Sequence, residues 1–114
     1  MKTPRQQFES LATWAKTESR KLIEQEESMP GSPLESELID LWKGQNPTLH
    51  RMMTEMQALE ALAHVVVERS IAEEMMLYRS GMPLSDARMQ AVADWWMLDP
   101  DEGAPKAPDE ATTG

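Results

Sequence analysis

The stretch at residues 46–81, NPTLHRMMTEMQALEALAHVVVERSIAEEMMLYRSG, decides which architecture the rest of the chain can adopt. Asn46 is a favourable N-cap residue, and Pro47 occupies the first helical position, where a missing N–H removes no intrahelical hydrogen bond. Gly81 suits the left-handed residue that ends many helices. No Pro or Gly lies between Pro47 and Gly81. The sequence therefore predicts one long central helix, at about residues 47–80, with a length of roughly 50 Å at 1.5 Å per residue.

The middle of this predicted helix is apolar on nearly every side. Most of its apolar residues fall on one arc at 100° per residue, but Leu62 and Val65 point away from that arc. Between residues 58 and 67 the only polar residues are Glu60 and His64. A helix that is apolar nearly all round has to be covered on two sides. Either the shorter helices wrap around it within a monomer, or a second copy covers one side; we expect a homodimer.

Three shorter helices are expected around the long one. A cap-then-proline start predicts a first helix near residues 4–27. A capping box that begins at Ser32 predicts a second helix at about residues 33–43. Ser85 is the N-cap residue expected for a fourth helix near residues 86–98. The sequence therefore predicts an all-α fold: a helical bundle of four helices, organised on the long central helix and completed by dimerisation.

The composition indicates one small domain followed by an acidic tail. The 114 residues carry a net charge of −9 and include no Cys, so disulfides and thiolate chemistry are excluded. Residues 99–114 hold five acidic residues, one Lys and no large apolar residue, which is typical of disorder. We expect a single helical domain at residues 1–98 and a disordered acidic tail at residues 99–114. A cytoplasmic location is expected, because neither a signal peptide nor a membrane span is evident.

No grouping of residues in the sequence indicates catalysis. The chain contains no Gly-rich loop that could cradle phosphate, and no Ser lies in a nucleophile-elbow context. The eleven basic residues are scattered along the chain, without the patch that tracks nucleic-acid phosphates. We therefore expect no enzymatic activity, no direct nucleic-acid binding, no membrane binding and no cofactor.

Apolar and aromatic residues are the first candidates for partner binding. The chain has four Trp and ten Met but one Phe and one Tyr. Trp is enriched at interface hot spots, and Met adapts to irregular surfaces. Adjacent helical residues point about 100° apart, so Trp95 and Trp96 can hardly enter the same core. Ordinary core packing stays open as the alternative. The candidate partner-binding residues are Trp95, Trp14, Leu62, Val65, Met75 and Met76.

An acidic patch is the second candidate surface. No Lys or Arg occurs between Lys21 and Lys43. A run of carboxylates without basic neighbours could imitate nucleic-acid phosphates and occupy a basic groove of another protein. A solvated helix surface is the commoner explanation of such a run. The residues of this patch are Glu24, Glu26, Glu27, Glu35, Glu37 and Asp40.

His64 is flanked one helical turn away by Glu60 and Glu68, a spacing at which carboxylates and imidazole could bind a metal ion. Carboxylate sites in helical bundles take Glu and His from several helices, whereas this chain has only two His. We assign no metal site and interpret His64 as a half-buried side chain that the two Glu residues orient.

Together these patterns favour a non-catalytic function. We expect a small helical protein–protein interaction module, such as an adaptor, regulator or assembly factor. It would act through apolar, Trp and Met surface on the long and C-terminal helices. Two alternatives stay open. One is an acidic inhibitor of phage or mobile-element type that mimics nucleic acid at the basic site of a nucleic-acid-binding complex; the other is a metal-binding bundle of carboxylate and His ligands.

Overall fold

The computed structural model describes residues 4–96, which form five α-helices and, within that range, no strand. The predicted all-α class is therefore confirmed for the described residues. The predicted tail at residues 99–114 lies outside them. No helix in the described part of the chain has the length and hydropathy needed to cross a membrane. The helices are α1 (Pro4–Glu24), α2 (Pro33–Gln45), α3 (Pro47–Glu55), α4 (Leu59–Arg79) and α5 (Leu84–Trp95).

The prediction of one long helix, and hence of four helices, is wrong, because α3 and α4 are separated at residues 56–58. Gln57 adopts the left-handed conformation with φ 57°. The Gln57 N–H donates to the Thr54 carbonyl at 3.1 Å, and the Ala58 N–H donates to the Met53 carbonyl at 2.8 Å. These two hydrogen bonds form a Schellman motif, which ends α3. Met53 and Ala58 are fully buried, so tertiary packing holds a turn that the local sequence does not indicate.

The starts of α2 and α3 follow the signals predicted for them. The Ser32 Oγ accepts from the Glu35 N–H at 3.4 Å, and the Glu35 carboxylate accepts from the Ser32 N–H at 3.2 Å, which completes the predicted capping box. Asn46 serves two helices at once. Its N–H donates to the Trp42 carbonyl at the end of α2, and its side chain accepts from the Leu49 N–H at the start of α3.

The remaining boundaries differ slightly from those predicted. Helix α1 stops at Glu24 rather than near residue 27, because Glu26 takes φ 56°. Helix α4 is followed, as predicted, by a left-handed Gly81 with φ 111°, and the hydrogen bonds there form a Schellman motif. The expected cap by Ser85 is wrong: α5 starts at Leu84, and its N-cap position is Pro83, without a side-chain hydrogen bond.

Helix α4 forms the centre of the core. The six consecutive residues at 62–67 are at most 4% exposed, and at 100° per residue they point in all directions around the helix. The helices α1, α2, α3 and α5 all contact α4. They supply the required cover within one chain, so burial of the α4 middle gives no reason to expect a second copy. Large buried side chains from the other helices complete this core: Phe8, Leu11, Leu38, Trp42, Leu49 and Met53.

Candidate interaction surface

Exposed large apolar side chains are concentrated in one segment of the chain, which runs from the second half of α4 into α5. Seven such side chains occur among the described residues, and six of them lie between residues 71 and 89. The seventh, Met29, lies in the loop between α1 and α2 and is 66% exposed. We call the other six the α4–α5 surface: Ile71, Met75, Met76, Tyr78, Leu84 and Met89.

The α4–α5 surface exists because α4 extends beyond the core. No residue of α4 after Ser70 is buried. Ile71, Met75 and Tyr78 follow one another at i, i+4 and i+7, so they share one face of the helix. Their exposed fractions are 41%, 41% and 52%. This face is therefore an apolar stripe in contact with solvent.

A recess of about 90 Å³ adjoins the stripe at the junction of α2, α4 and α5. Its apolar lining includes Leu34, Ile71 and Trp96, and its charged residues are Glu74 and Arg88. Small-molecule sites usually measure about 300–1,000 Å³, so the recess is too small for a typical ligand. A single apolar side chain of a partner protein is the kind of group that it can accommodate.

Hydrogen bonds fix the Trp96 wall of the recess. The Trp96 Nε1 donates to the Ser70 Oγ at 3.1 Å, and the Ser70 Oγ donates to the Val67 carbonyl at 2.8 Å. The Trp96 carbonyl accepts from the Trp42 Nε1 at 3.1 Å. These bonds tie the end of α5 to both α2 and α4, so the recess is preformed.

Two carboxyl groups face each other where α5 packs on α4. Burial, a hydrogen bond with Asp94 and charge repulsion from Asp94 together raise the pKa of Glu73 to about 7. The Gln90 Nε2 donates to both Asp94 carboxylate oxygens, at 3.0 and 3.2 Å, which favours Asp94 as the ionised partner. The Glu73 Oε2 is buried and finds no donor among the described residues. A proton on Glu73 would remove the charge repulsion between the two carboxyl groups.

His64 differs from its predicted role. It is fully buried rather than half-buried, and its partners are Ser19 and Ser28 rather than Glu60 and Glu68. The Nδ1 lies 2.7 Å from the Ser19 Oγ, and the Nε2 lies 2.6 Å from the Ser28 Oγ. In a neutral imidazole one nitrogen donates and the other accepts. The two hydroxyls therefore satisfy a buried ring that joins α1, the following loop and α4.

Neither catalysis nor metal binding gains support from this arrangement. A Ser hydroxyl on a His nitrogen can form a nucleophile and base, but His64 is 0% exposed. We interpret the contacts as the pairing that buried polar groups require. In the described range, no three His, Cys, Asp or Glu side chains are grouped as metal ligands would be.

The predicted partner-binding residues are separated by the structure. Met75 and Met76 are exposed and belong to the α4–α5 surface. Assigning Leu62 and Val65 to a partner surface is wrong, since both are 0% exposed beneath the helices that surround α4. The remaining two, Trp14 and Trp95, are partly buried and pack against the core.

Assigning Glu35 to the predicted acidic patch is wrong, because this residue is only 5% exposed. Its carboxylate accepts from the Gly31 N–H at 3.0 Å and from the Ser32 N–H at 3.2 Å, so it caps α2 instead of facing solvent. The other five residues are exposed, near the end of α1 and on α2: Glu24, Glu26, Glu27, Glu37 and Asp40.

Several residues of this region were not identified from the sequence. The spacing of Ile71, Met75 and Tyr78 was a usable signal, but it cannot tell a core face from an exposed one. Glu73 and Asp94 come from different helices, and no local pattern links them.

No protein-family model, curated protein or solved structure matches this chain.

Proposed function

We propose that this protein is a non-catalytic interaction module that binds another protein through the α4–α5 surface. The observation that carries the proposal is the concentration there of six of the seven exposed large apolar side chains in the described residues. Exposed apolar area of this kind is favourable to bury against a partner. Three of the six are Met, whose flexible side chains adapt to the contours of a partner.

The chemistry of the surface defines the complementary group. A partner would place one apolar side chain in the recess beside Ile71 and Trp96, and further apolar contacts along Met75 and Tyr78. Glu74 and Arg88 would lie in the polar rim that surrounds the buried centre of most interfaces. Binding should therefore persist above about 0.3 M salt, where interactions between exposed charges are largely screened.

The test uses Met→Glu substitutions at equally exposed positions. Met76 and Met89 lie on the α4–α5 surface and are 62% and 71% exposed, while Met29 lies elsewhere and is 66% exposed. Each variant is immobilised and used to capture partners from the native host, after circular dichroism has shown that it is folded. We expect the partner held by the parent protein to be retained by Met29→Glu and lost by Met76→Glu and Met89→Glu. Equal retention by all three variants would refute the proposal.

The acidic-inhibitor alternative is supported by the five exposed carboxylates near the end of α1 and on α2. It differs from the favoured function in its response to salt. Binding that disappears above about 0.3 M salt, and that survives Met76→Glu, would indicate charge mimicry instead of apolar docking.

A further inference from the structure

The break between α3 and α4 is under local strain. Gln57 holds φ 57°, a conformation that is unfavourable for residues other than Gly. The three residues at the break, Met56, Gln57 and Ala58, are all good helix formers. A continuous helix across residues 56–58 would relieve the positive φ and keep the backbone N–H groups paired within the helix. The local sequence therefore favours a straight helix over the turn that is present.

Contacts between two segments of the chain hold the turn in place. One segment comprises α1, α2 and α3, and the other comprises α4 and α5. Arg69 pairs with Glu18 at 2.7 Å, and His64 contacts Ser19 and Ser28. The buried apolar cluster also combines residues of both segments. If α3 and α4 became one helix, the two segments of a single chain would separate and these contacts would be lost within it.

We infer that the protein has a second, domain-swapped state, in which α3 and α4 form one helix and each segment packs on the complementary segment of a second copy. The first segment of one copy would bind the second segment of the other copy. It would cover there the same surface that it covers within one chain in the monomer. Complementarity is therefore built in, because the contacts between the segments, apart from those at the turn itself, can form again between chains. The joined helix, at residues 47–79, would be roughly 50 Å long. This state goes beyond the proposed function, which concerns the outer face of α4 and α5.

Substitutions at Gln57 test the inference, because its side chain is exposed and can be changed without altering the core. Gln57→Gly relieves the positive φ and weakens the straight helix, so it should favour the monomer. Gln57→Ala keeps the unfavourable φ and strengthens the helix. The swapped dimer contains two copies of residue 57, so the free-energy difference between the two variants counts twice. Gln57→Gly should therefore raise the dimer dissociation constant at least about tenfold relative to Gln57→Ala. Sedimentation analysis, after equilibration at high protein concentration, measures this ratio.

A distance measurement distinguishes the swapped dimer from a dimer of two unchanged monomers in contact. The chain has no Cys, so spin labels can be attached specifically through Thr48→Cys on α3 and Ala72→Cys on α4. In a straight helix these positions are about 36 Å apart at 1.5 Å per residue. With labelled chains diluted by unlabelled protein, we expect this distance in the dimer and a shorter one in the monomer. A dimer that lacks the long distance, or two Gln57 variants that stay wholly monomeric at high concentration, would overturn the inference.

Discussion

The imidazole of His64 lies inside the core with a hydroxyl group on each nitrogen. Ser19 and Ser28 lie 45 and 36 residues away in the sequence, so the pairing forms only when α1 and α4 have come together. A buried polar atom that loses its partner keeps its desolvation penalty. These hydrogen bonds therefore link the stability of α4 to the position of α1.

Replacing Ser19 tests that link. In Ser19→Ala the Nδ1 of His64 loses its hydrogen bond to the Ser19 hydroxyl, so we expect the free energy of unfolding to fall by about 1–3 kcal/mol. The control is Ser10→Ala, at an exposed position on the same helix, which should change stability by no more than about 0.5 kcal/mol. Urea unfolding followed by circular dichroism measures both. An equal effect of the two substitutions would show that the His64 contacts do not stabilise the fold.

Glu73 should make stability depend on pH. Its pKa is about 7 in the folded protein against an ordinary value of 4.5, so the folded state binds the proton more tightly than the unfolded state. The stabilisation is fully present below pH 4.5 and is lost as the pH rises to about 7. Glu73→Gln cannot ionise, so it should flatten the fall in melting temperature between pH 5 and pH 8.

The control for Glu73→Gln is Glu60→Gln, at an exposed position near the start of the same helix. It should retain the pH dependence of the parent protein. If Glu73→Gln and the parent lose stability equally over this range, the proton on Glu73 is not its source.

At the scale of the helices, local signals fix the starts of α2 and α3. Ser32 and Glu35, and Asn46 with Pro47, are recognisable in sequence because a cap and the helix it starts are adjacent in the chain. The break at Gln57 is different. Its residues favour a helix, and the turn is held by burial of Met53 and Ala58 against other helices. A prediction from local pattern therefore extends α3 into α4.

The end of α1 offers a test of the same backbone geometry. Glu26 has φ 56°, and hydrogen bonds from the Glu26 N–H to the Ile23 carbonyl and from the Glu27 N–H to the Leu22 carbonyl form a Schellman motif. Gly is favoured at this position, so Glu26→Gly should stabilise the protein by about 0.5–1 kcal/mol, after allowance for the larger entropy of the unfolded chain.

Gln25→Gly is the matched control, since Gln25 is not among the residues with positive φ. It should lower the free energy of unfolding by about 0.4–1 kcal/mol, because Gly increases the entropy of the unfolded chain and relieves no positive φ there. Thermal unfolding of both variants measures whether each Gly stabilises or destabilises the protein. Destabilisation by Glu26→Gly would show that the left-handed residue contributes no strain.

For the molecule as a whole, the decisive feature is that α4 is enclosed by its own chain. Leu62 is 0% exposed, so Leu62→Ala should lower the free energy of unfolding by about 2–5 kcal/mol. Met76 is 62% exposed, and Met76→Ala should change it by about 0.5 kcal/mol or less. Urea unfolding in dilute solution provides the measurement. A small effect of Leu62→Ala under those conditions would mean that its cover comes from another chain.

Part of the α4–α5 surface was predictable, because Met75 and Met76 combine an adaptable side chain with a position outside the apolar middle of the helix. Leu62 and Val65 could not be assigned correctly from the sequence. Their apolar character indicates that they need cover, but it does not show whether α1, α2, α3 and α5 or a second copy provides it. That distinction depends on how four helices are arranged in space, which no local pattern records.

The hydrogen bond from the Trp42 Nε1 to the Trp96 carbonyl joins residues 54 positions apart, and this has a consequence for biosynthesis. Trp42 is 1% exposed, so its indole N–H meets an acceptor only after the last turn of α5 has left the ribosome. Folding should therefore be completed late in translation. A premature stop codon shortly before Trp96 would remove the acceptor and leave the indole N–H of Trp42 unpaired, so such a product should be a ready target for cellular proteases.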